Sequence, residues 1–393
     1  MPVAIYAGIE SQLRAGVRMT AAKGQIRAHT GLRGIAALLV VAYHQEFGPF
    51  YKLPIELSTN VFRHSYLMVD LFFVLSGFII SYVYKAERKL PFSKNETIAF
   101  LFTRFARIYP LHAFTMFYML FFAIASTTML ALLGHATSSI TAKSLSDWGL
   151  QLALVQSWIP GYEAWNIPSW SISAEMFAYL LFPLIVFFCV LAPRLAKIML
   201  LLSSLAFYIY VGATGGSLDI ISGLAPLRCL AGFMLGMTIY YGRLFVAAVS
   251  ETIHSIIQVV AILWISVVLA MKGGDPFIIP AFALIVAFTW QDRGLVARAL
   301  SRIQLQWLGE ISYSVYLLHG PIGGTLWFFW VPLEKRLGLA PPVTRAMWLV
   351  LIFAAVLICS HLSHRYIEVP ARQRLTRWRG RKAPPSDVLA AAP

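Results

Sequence analysis

The chain has 393 residues, of which 59% are hydrophobic and only 12% charged. A soluble globular domain carries about 25% charged residues, so too few ionic side chains are present to coat a water-facing surface. A soluble enzyme, a disordered chain and a fibrous protein are thereby excluded. The net charge of +15, from 32 Lys and Arg against 17 Asp and Glu, then becomes a question of where the basic residues lie along the chain.

The first 30 residues hold no apolar run long enough for a cleavable signal peptide, so the first span is expected to act as an uncleaved anchor. Residues 1–27 read as a basic cytoplasmic tail. A membrane helix needs about 20 mostly apolar residues. Ten candidate spans follow, at 31–50, 66–84, 109–133, 171–191, 196–213, 222–241, 253–271, 276–291, 309–331 and 345–363. The predicted fold is an all-α polytopic membrane bundle of about ten helices, with the membrane domain covering 28–375. An even number of spans puts both termini on one side. Outside the spans, 23 basic residues fall in the segments on the side of the termini and seven in the opposite loops, so both termini are expected in the cytoplasm.

The longest outer segment, 134–170, contains Trp148, Trp158, Trp165 and Trp170, and its stretch 147–158 is expected to lie along the interface as an amphipathic helix. A lid over a site and a tryptophan belt are both open readings of it. Cys189, Cys229 and Cys359 lie inside apolar runs without metal or CxxC spacing, and read as small core residues. After the last span, residues 376–393 form a basic, then disordered, tail. Attraction of Arg372, Arg374, Arg377, Arg379, Arg381 and Lys382 to anionic lipid explains the basic run without nucleic acid.

An ionisable group inside a membrane span is costly and marks a functional candidate facing the bundle interior. Six are present: Arg33 and His44, Asp70, Glu175, Arg228 and His319. His44 is eleven residues beyond Arg33, about 16 Å deeper along a helix, which places it near mid-membrane beside His319. Asp70, Glu175 and Arg228 are expected within about 10 Å of the outer surface. Each has a structural alternative: a histidine as an interhelical hydrogen-bond partner, Asp70 and Arg228 as a packing ion pair, and Glu175 as a first-turn carboxylate in a helix capped by Ser171 or Ser173. Arg104 and Arg107, three apart, share one helical face suited to phosphate. On spacing alone, ordinary positive-inside flanking is the favoured explanation of them.

At these residues a family resemblance becomes visible. The run Gly31-Leu-Arg-Gly-Ile-Ala-Ala-Leu-Leu-Val-Val-Ala-Tyr-His44 resembles the opening of the acyltransferase family 3 membrane proteins. Their Arg-x-x-Arg motif matches Arg104 and Arg107. Further similar stretches are Val69-Asp-Leu-Phe-Phe-Val-Leu-Ser-Gly-Phe78, Trp170-Ser-Ile-Ser-Ala-Glu175, Arg228 to Gly236, Gly309-Glu-Ile-Ser-Tyr-Ser-Val-Tyr-Leu-Leu-His319 and Arg365-Tyr-Ile-Glu-Val-Pro370. Ala174, where many members have Val, and Leu111-His112, where many have Leu-Tyr, are mild departures.

The resemblance implies transfer of an acyl group, acetyl by default, from cytoplasmic acyl-CoA to a hydroxyl of an extracytoplasmic carbohydrate-type acceptor, in the inner membrane of a bacterium. It implies acyl-CoA as co-substrate, with no tightly bound cofactor and no metal. Some members carry a fused extracytoplasmic hydrolase-like domain. The short tail after the last motif is expected to mark a stand-alone form, working directly or with a separate extracytoplasmic partner. On this basis Arg33, Arg104 and Arg107 are expected to hold the CoA phosphates and His44 to act as general base. Glu175 is expected to orient His44 or polarise the acceptor, and His319 to carry a second proton or bind the thioester oxygen. Ser171 and Ser173 are candidates for an acyl intermediate, with Asp70 and Arg228 in support. The rival reading is a proton-coupled transporter, but the paired halves typical of transporters are not visible in the sequence.

Overall fold

The structure is a computed structural model, and it describes residues 25–47, 60–134, 144–271 and 273–379. Among these every regular element is helical. Ten principal helices correspond one to one with the ten expected spans: α1 Arg27–Phe47, α2 Met68–Val83, α3 Lys94–Leu132, α4 Trp170–Leu191, α5 Pro193–Ala213, α6 Ala225–Ala247, α7 Glu251–Ala270, α8 Ile278–Thr289, α9 Ser312–Leu337 and α10 Pro341–Ser363. A further helix, α11 Val369–Trp378, follows α10 through one turn of π-helix at His364–Glu368. The N-terminal tail up to residue 24 and the segment 380–393 lie outside the described residues.

Seven of these helices (α2 to α7, and α10 running on to Trp378) are long and apolar enough to cross a membrane. The remaining three depart from the expectation for a physical reason. α8 is 12 residues long, while α1 and α9 have spanning lengths of 21 and 26 residues but carry the polar groups Arg33, His44, Ser312, Ser314 and His319. Those two helices hold polar side chains because their inner faces line the site described below.

The innermost element is α2, with 78% of its apolar window buried. It packs closely on α6 because small residues face each other at the crossing. A Cβ on Gly77 would meet the Phe233 carbonyl oxygen at 1.9 Å, and one on Gly236 would meet the Val74 carbonyl oxygen at 2.1 Å. The same pair of helices is fastened by a doubly bonded ion pair with both side chains fully buried. Arg228 Nε donates to Asp70 Oδ1 at 3.1 Å and Arg228 Nη2 to Asp70 Oδ2 at 2.7 Å. The guanidinium also reaches the Ile220 carbonyl at 3.2 Å and lies over the Trp170 ring. Every charge-bearing atom is therefore paired in this dry environment, the condition under which a buried ion pair is tolerated. The packing reading of Asp70 and Arg228 describes this geometry.

Four local expectations are corrected. The basic connection expected at 85–108 is largely helix: α3 starts at Lys94 and runs 39 residues, its first turn closed by a reciprocal capping box between Ser93 and Glu96. Neither Ser171 nor Ser173 caps α4. A 3₁₀ turn at Ile167–Ser169 feeds straight into the helix, so Glu175 lies in the second turn and the first-turn dipole explanation lapses. The outer segment forms a helix at Leu145–Leu152 and a 3₁₀ turn at Gln156–Trp158 in place of one interfacial helix over 147–158. Buried amides hold it down. Gln151 donates to the Asp147 and Glu163 carbonyls and accepts from Trp165 N, while Asn166 Nδ2 donates to the Leu317 carbonyl on α9. This is a pinned cap. Finally, Cys189 and Cys229 are buried as expected, whereas Cys359 is exposed on the outer face of α10.

Candidate active site

α1 and α9 run side by side in register. A Cβ on Gly34 would lie 2.9 Å from Gly309 N, so these two positions share a level. Gly309 lies in the short helix Ile303–Glu310 that precedes α9. Ten residues beyond Gly34 and beyond Gly309 along the chain stand His44 and His319. They meet there: His319 Nε2 is 3.2 Å from His44 Nδ1. His44 lies in the last turn of α1, whereas His319 is in the second or third turn of α9.

The hydrogen bonds assign the tautomers. His319 Nδ1 faces the Val315 carbonyl at 3.2 Å, so it carries a proton and Nε2 is an acceptor. His44 Nδ1 faces both the Val40 carbonyl, at 3.0 Å, and His319 Nε2, so its N–H is shared between two acceptors. The lone pair of neutral His44 is then on Nε2, which makes no hydrogen bond among the described residues. A neutral imidazole fixed on one side with its other nitrogen available is the arrangement of a general base.

Below the pair, towards the start of α1, lies an internal cavity with a free volume of about 80 Å³. It is lined by Arg33 from α1, Phe72 and Ser76 from α2, Arg107 from α3, Ser171, Glu175 and Tyr179 from α4, and Ser312, Tyr313 and Tyr316 from α9. Tyr316 joins cavity and histidines. Its hydroxyl is 2.7 Å from Ser171 Oγ, and its ring packs edge-on against His319.

Glu175 is not brought to His44. Its Oε1 accepts from Ser76 Oγ and from Tyr179 OH, both at 2.6 Å, and the charge it faces is Arg33. Its place is the wall of the cavity below the histidines. The two serines also separate. Ser171 lines the cavity, whereas Ser173 Oγ donates to the Leu154 carbonyl and accepts from Ser157 Oγ, fixing the outer cap. Ser173 is therefore occupied structurally.

Arg104 and Arg107 are both buried, at 1% and 7% exposure, but they diverge. Arg107 enters the cavity and forms an ion pair with Glu368. Arg104 lies over the Tyr84 ring at 5.6 Å, and its Nε and Nη2 are buried without a hydrogen-bond partner among the described residues. Arginine guanidinium groups left partly unpaired in a buried site are an electrostatic invitation to an anion.

Glu368 is the residue that sequence reasoning missed. It is 1% exposed, accepts from Ser314 Oγ at 2.9 Å and holds Arg107, all from a π-helical turn, a feature frequent at functional sites. The signal was available: Glu368 is the sole acidic residue between Lys335 and Ser386, inside the quoted Arg365–Pro370 stretch.

With this geometry the comparisons with known proteins agree. A family profile described as an acyltransferase domain matches residues 27–364. The chain belongs to acyltransferase family 3. Among curated relatives of the family, it is 26% identical over 384 residues to the peptidoglycan O-acetyltransferase OatA of Listeria monocytogenes, covering 87% of this chain and 55% of that protein. It is 36% identical over 163 residues to the acyltransferase MdmB of Streptomyces mycarofaciens, covering 39% of this chain and 38% of that one. The chain thus spans about half or less of the length of these relatives. No solved structure matches it.

Proposed function

We propose that this chain is a bacterial inner-membrane O-acyltransferase that moves an acyl group, acetyl by default, from cytoplasmic acyl-CoA to a hydroxyl of an extracytoplasmic carbohydrate-type acceptor. The observation that carries the reading is the polarity of the site: Arg33 and Arg107 line a narrow cavity, and beyond its Tyr316 stands the histidine pair, in which neutral His44 keeps an Nε2 that makes no hydrogen bond among the described residues. The end where α1 begins is assigned to the cytoplasm, in line with the basic segments there. Arg33, Arg107 and Arg104 would meet the anionic part of the donor, and the slender cavity suits an extended acyl-pantetheine arm.

In the transfer step His44 Nε2 accepts the proton of the acceptor hydroxyl as its oxygen attacks the thioester carbonyl carbon. The C–S bond breaks, and the departing thiolate recovers the proton from the imidazolium, so an ester and free CoA result. His319 holds His44 Nδ1–H in place and stabilises the transient positive charge. Ser171 and Tyr316, hydrogen-bonded to each other in the cavity, are the groups placed to meet the thioester oxygen. A carbohydrate acceptor is supported by the relative named for peptidoglycan O-acetylation. The test is release of free CoA thiol from acetyl-CoA by membranes containing the protein, together with mass spectrometry of surface glycans from a deletion strain. A lost acyl increment and enzyme-dependent thiol release are expected. Solute uptake by vesicles without CoA turnover would contradict the reading.

A further inference from the structure

A second cavity opens at the turn between α2 and α3, outside the site just described. Its free volume is about 400 Å³, within the range of small-molecule pockets, whereas the central cavity at about 80 Å³ is far below it. A nucleotide cannot be housed in the central cavity. The groove between α2 and α3 has the size for one.

Its lining is aromatic and charged: Glu96 is neutralised by Arg88, which leaves Lys85 as the uncompensated charge in the lining. Tyr84, Phe92 and Phe100 form the wall, with Tyr84 edge-on to Phe100 at 4.9 Å. Two polar side chains on the rim, Lys85 and Asn95, make no hydrogen bond or ion pair among the described residues. Arg88 is already committed, to Glu96 at 2.6 Å and to the Phe92 ring. Lys85 has a left-handed backbone with φ 49°, a conformation that costs a non-glycine residue energy and recurs at functional sites.

The groove also adjoins the central cavity. Tyr84 of the groove is covered by Arg104, whose Nε and Nη2 have no hydrogen-bond partner among the described residues. Phe100 of the groove packs edge-on against Tyr179, which lines the central cavity. A molecule with an aromatic base at one end, phosphates in the middle and a thin arm beyond matches this sequence of surfaces.

We propose that the groove between α2 and α3 binds the 3′-phosphoadenosine end of the donor, with the base against Tyr84 and Phe92, the 3′-phosphate on Lys85 and the pyrophosphate on Arg104. The assignment rests on acyl-CoA being the donor. It makes Lys85, whose side chain has no hydrogen bond or ion pair among the described residues, a specificity residue for one phosphate.

The test is calorimetric titration of the full-length protein in lipid nanodiscs with CoA and with 3′-dephospho-CoA. A charge-assisted phosphate contact predicts about tenfold tighter binding of CoA by the wild type. Lys85→Ala is expected to abolish that preference by weakening CoA alone, Lys85→Arg to restore it, and Phe92→Ala to weaken both ligands. If Lys85→Ala and Phe92→Ala bind CoA like the wild type and keep its preference, the groove is not the nucleotide subsite although the donor is CoA. If the wild type binds neither ligand, the donor reading fails and this inference with it.

Discussion

His319 Nε2 on α9 and His44 Nδ1 on α1 stand 3.2 Å apart, each ten residues along the chain from the close approach of Gly309 to Gly34. The contact fixes which nitrogen of His44 carries the proton and leaves Nε2 to work. His319 therefore acts on the reaction through His44. Replacing His319 with Ala is expected to lower kcat for acetyl-CoA turnover by about 10²-fold or more, the lower range for general acid–base contributions, with KM for acetyl-CoA nearly unchanged. His319→Gln, which retains an acceptor for the His44 N–H, should recover part of the loss. Equal changes in kcat and KM for both variants would contradict this.

Arg107 and Glu368 form a buried pair across α3 and the π turn. Removing one partner strands a charge, at a cost of about 3–5 kcal/mol. Arg107→Met is thus expected to lower the unfolding temperature strongly, and Arg107→Met with Glu368→Leu to restore it. The double variant should still bind CoA weakly, because the guanidinium that meets the donor is gone. Thermal unfolding and CoA titration on the same samples separate the two effects.

The Asp70–Arg228 pair is fully buried and lies outside the cavity lining. Asp70→Asn is expected to destabilise the fold by about 3–5 kcal/mol through an uncompensated guanidinium. A well-packed apolar replacement of both residues should be close to neutral in stability and retain turnover. Loss of turnover in a stable double variant would give the pair a direct part in the chemistry.

Gly77 and Gly236 set the distance between α2 and α6. Gly77→Ala brings a methyl to 1.9 Å from a main-chain oxygen, which no rotamer relieves, so the helices must separate. The expected result is at least about 1–3 kcal/mol of destabilisation from overpacking, read as reduced folded yield in detergent. Gly242→Ala, at a position with open space around its Cβ, is the control and should behave as wild type.

Much of this was legible in the chain before any coordinates. Length and spacing of apolar runs located the all-α bundle and its seven helices long and apolar enough to cross a membrane, because a bilayer imposes a narrow range of lengths. Scarcity of charge singled out Arg33, His44, Glu175 and His319, since a polar group among apolar ones needs a reason. What the sequence concealed was which residues meet. Glu175 looked like a partner for His44, but helix register turned it towards Ser76 and Tyr179. Ser171 and Ser173 looked equivalent, yet two residues along a helix is about 200° of rotation, so one faces the cavity and the other the outer cap. Glu368 was hidden among basic residues that topology alone seemed to explain.

The central claim is that His44 supplies the base while the arginines hold the donor. The decisive measurement is thiol release from acetyl-CoA by purified His44→Ala protein in nanodiscs, with CoA affinity determined on the same preparation. Turnover is expected to fall by about 10²–10⁴-fold, the span of general-base catalysis, while CoA binds as in the wild type. Turnover at the wild-type rate with unchanged CoA binding would contradict the account.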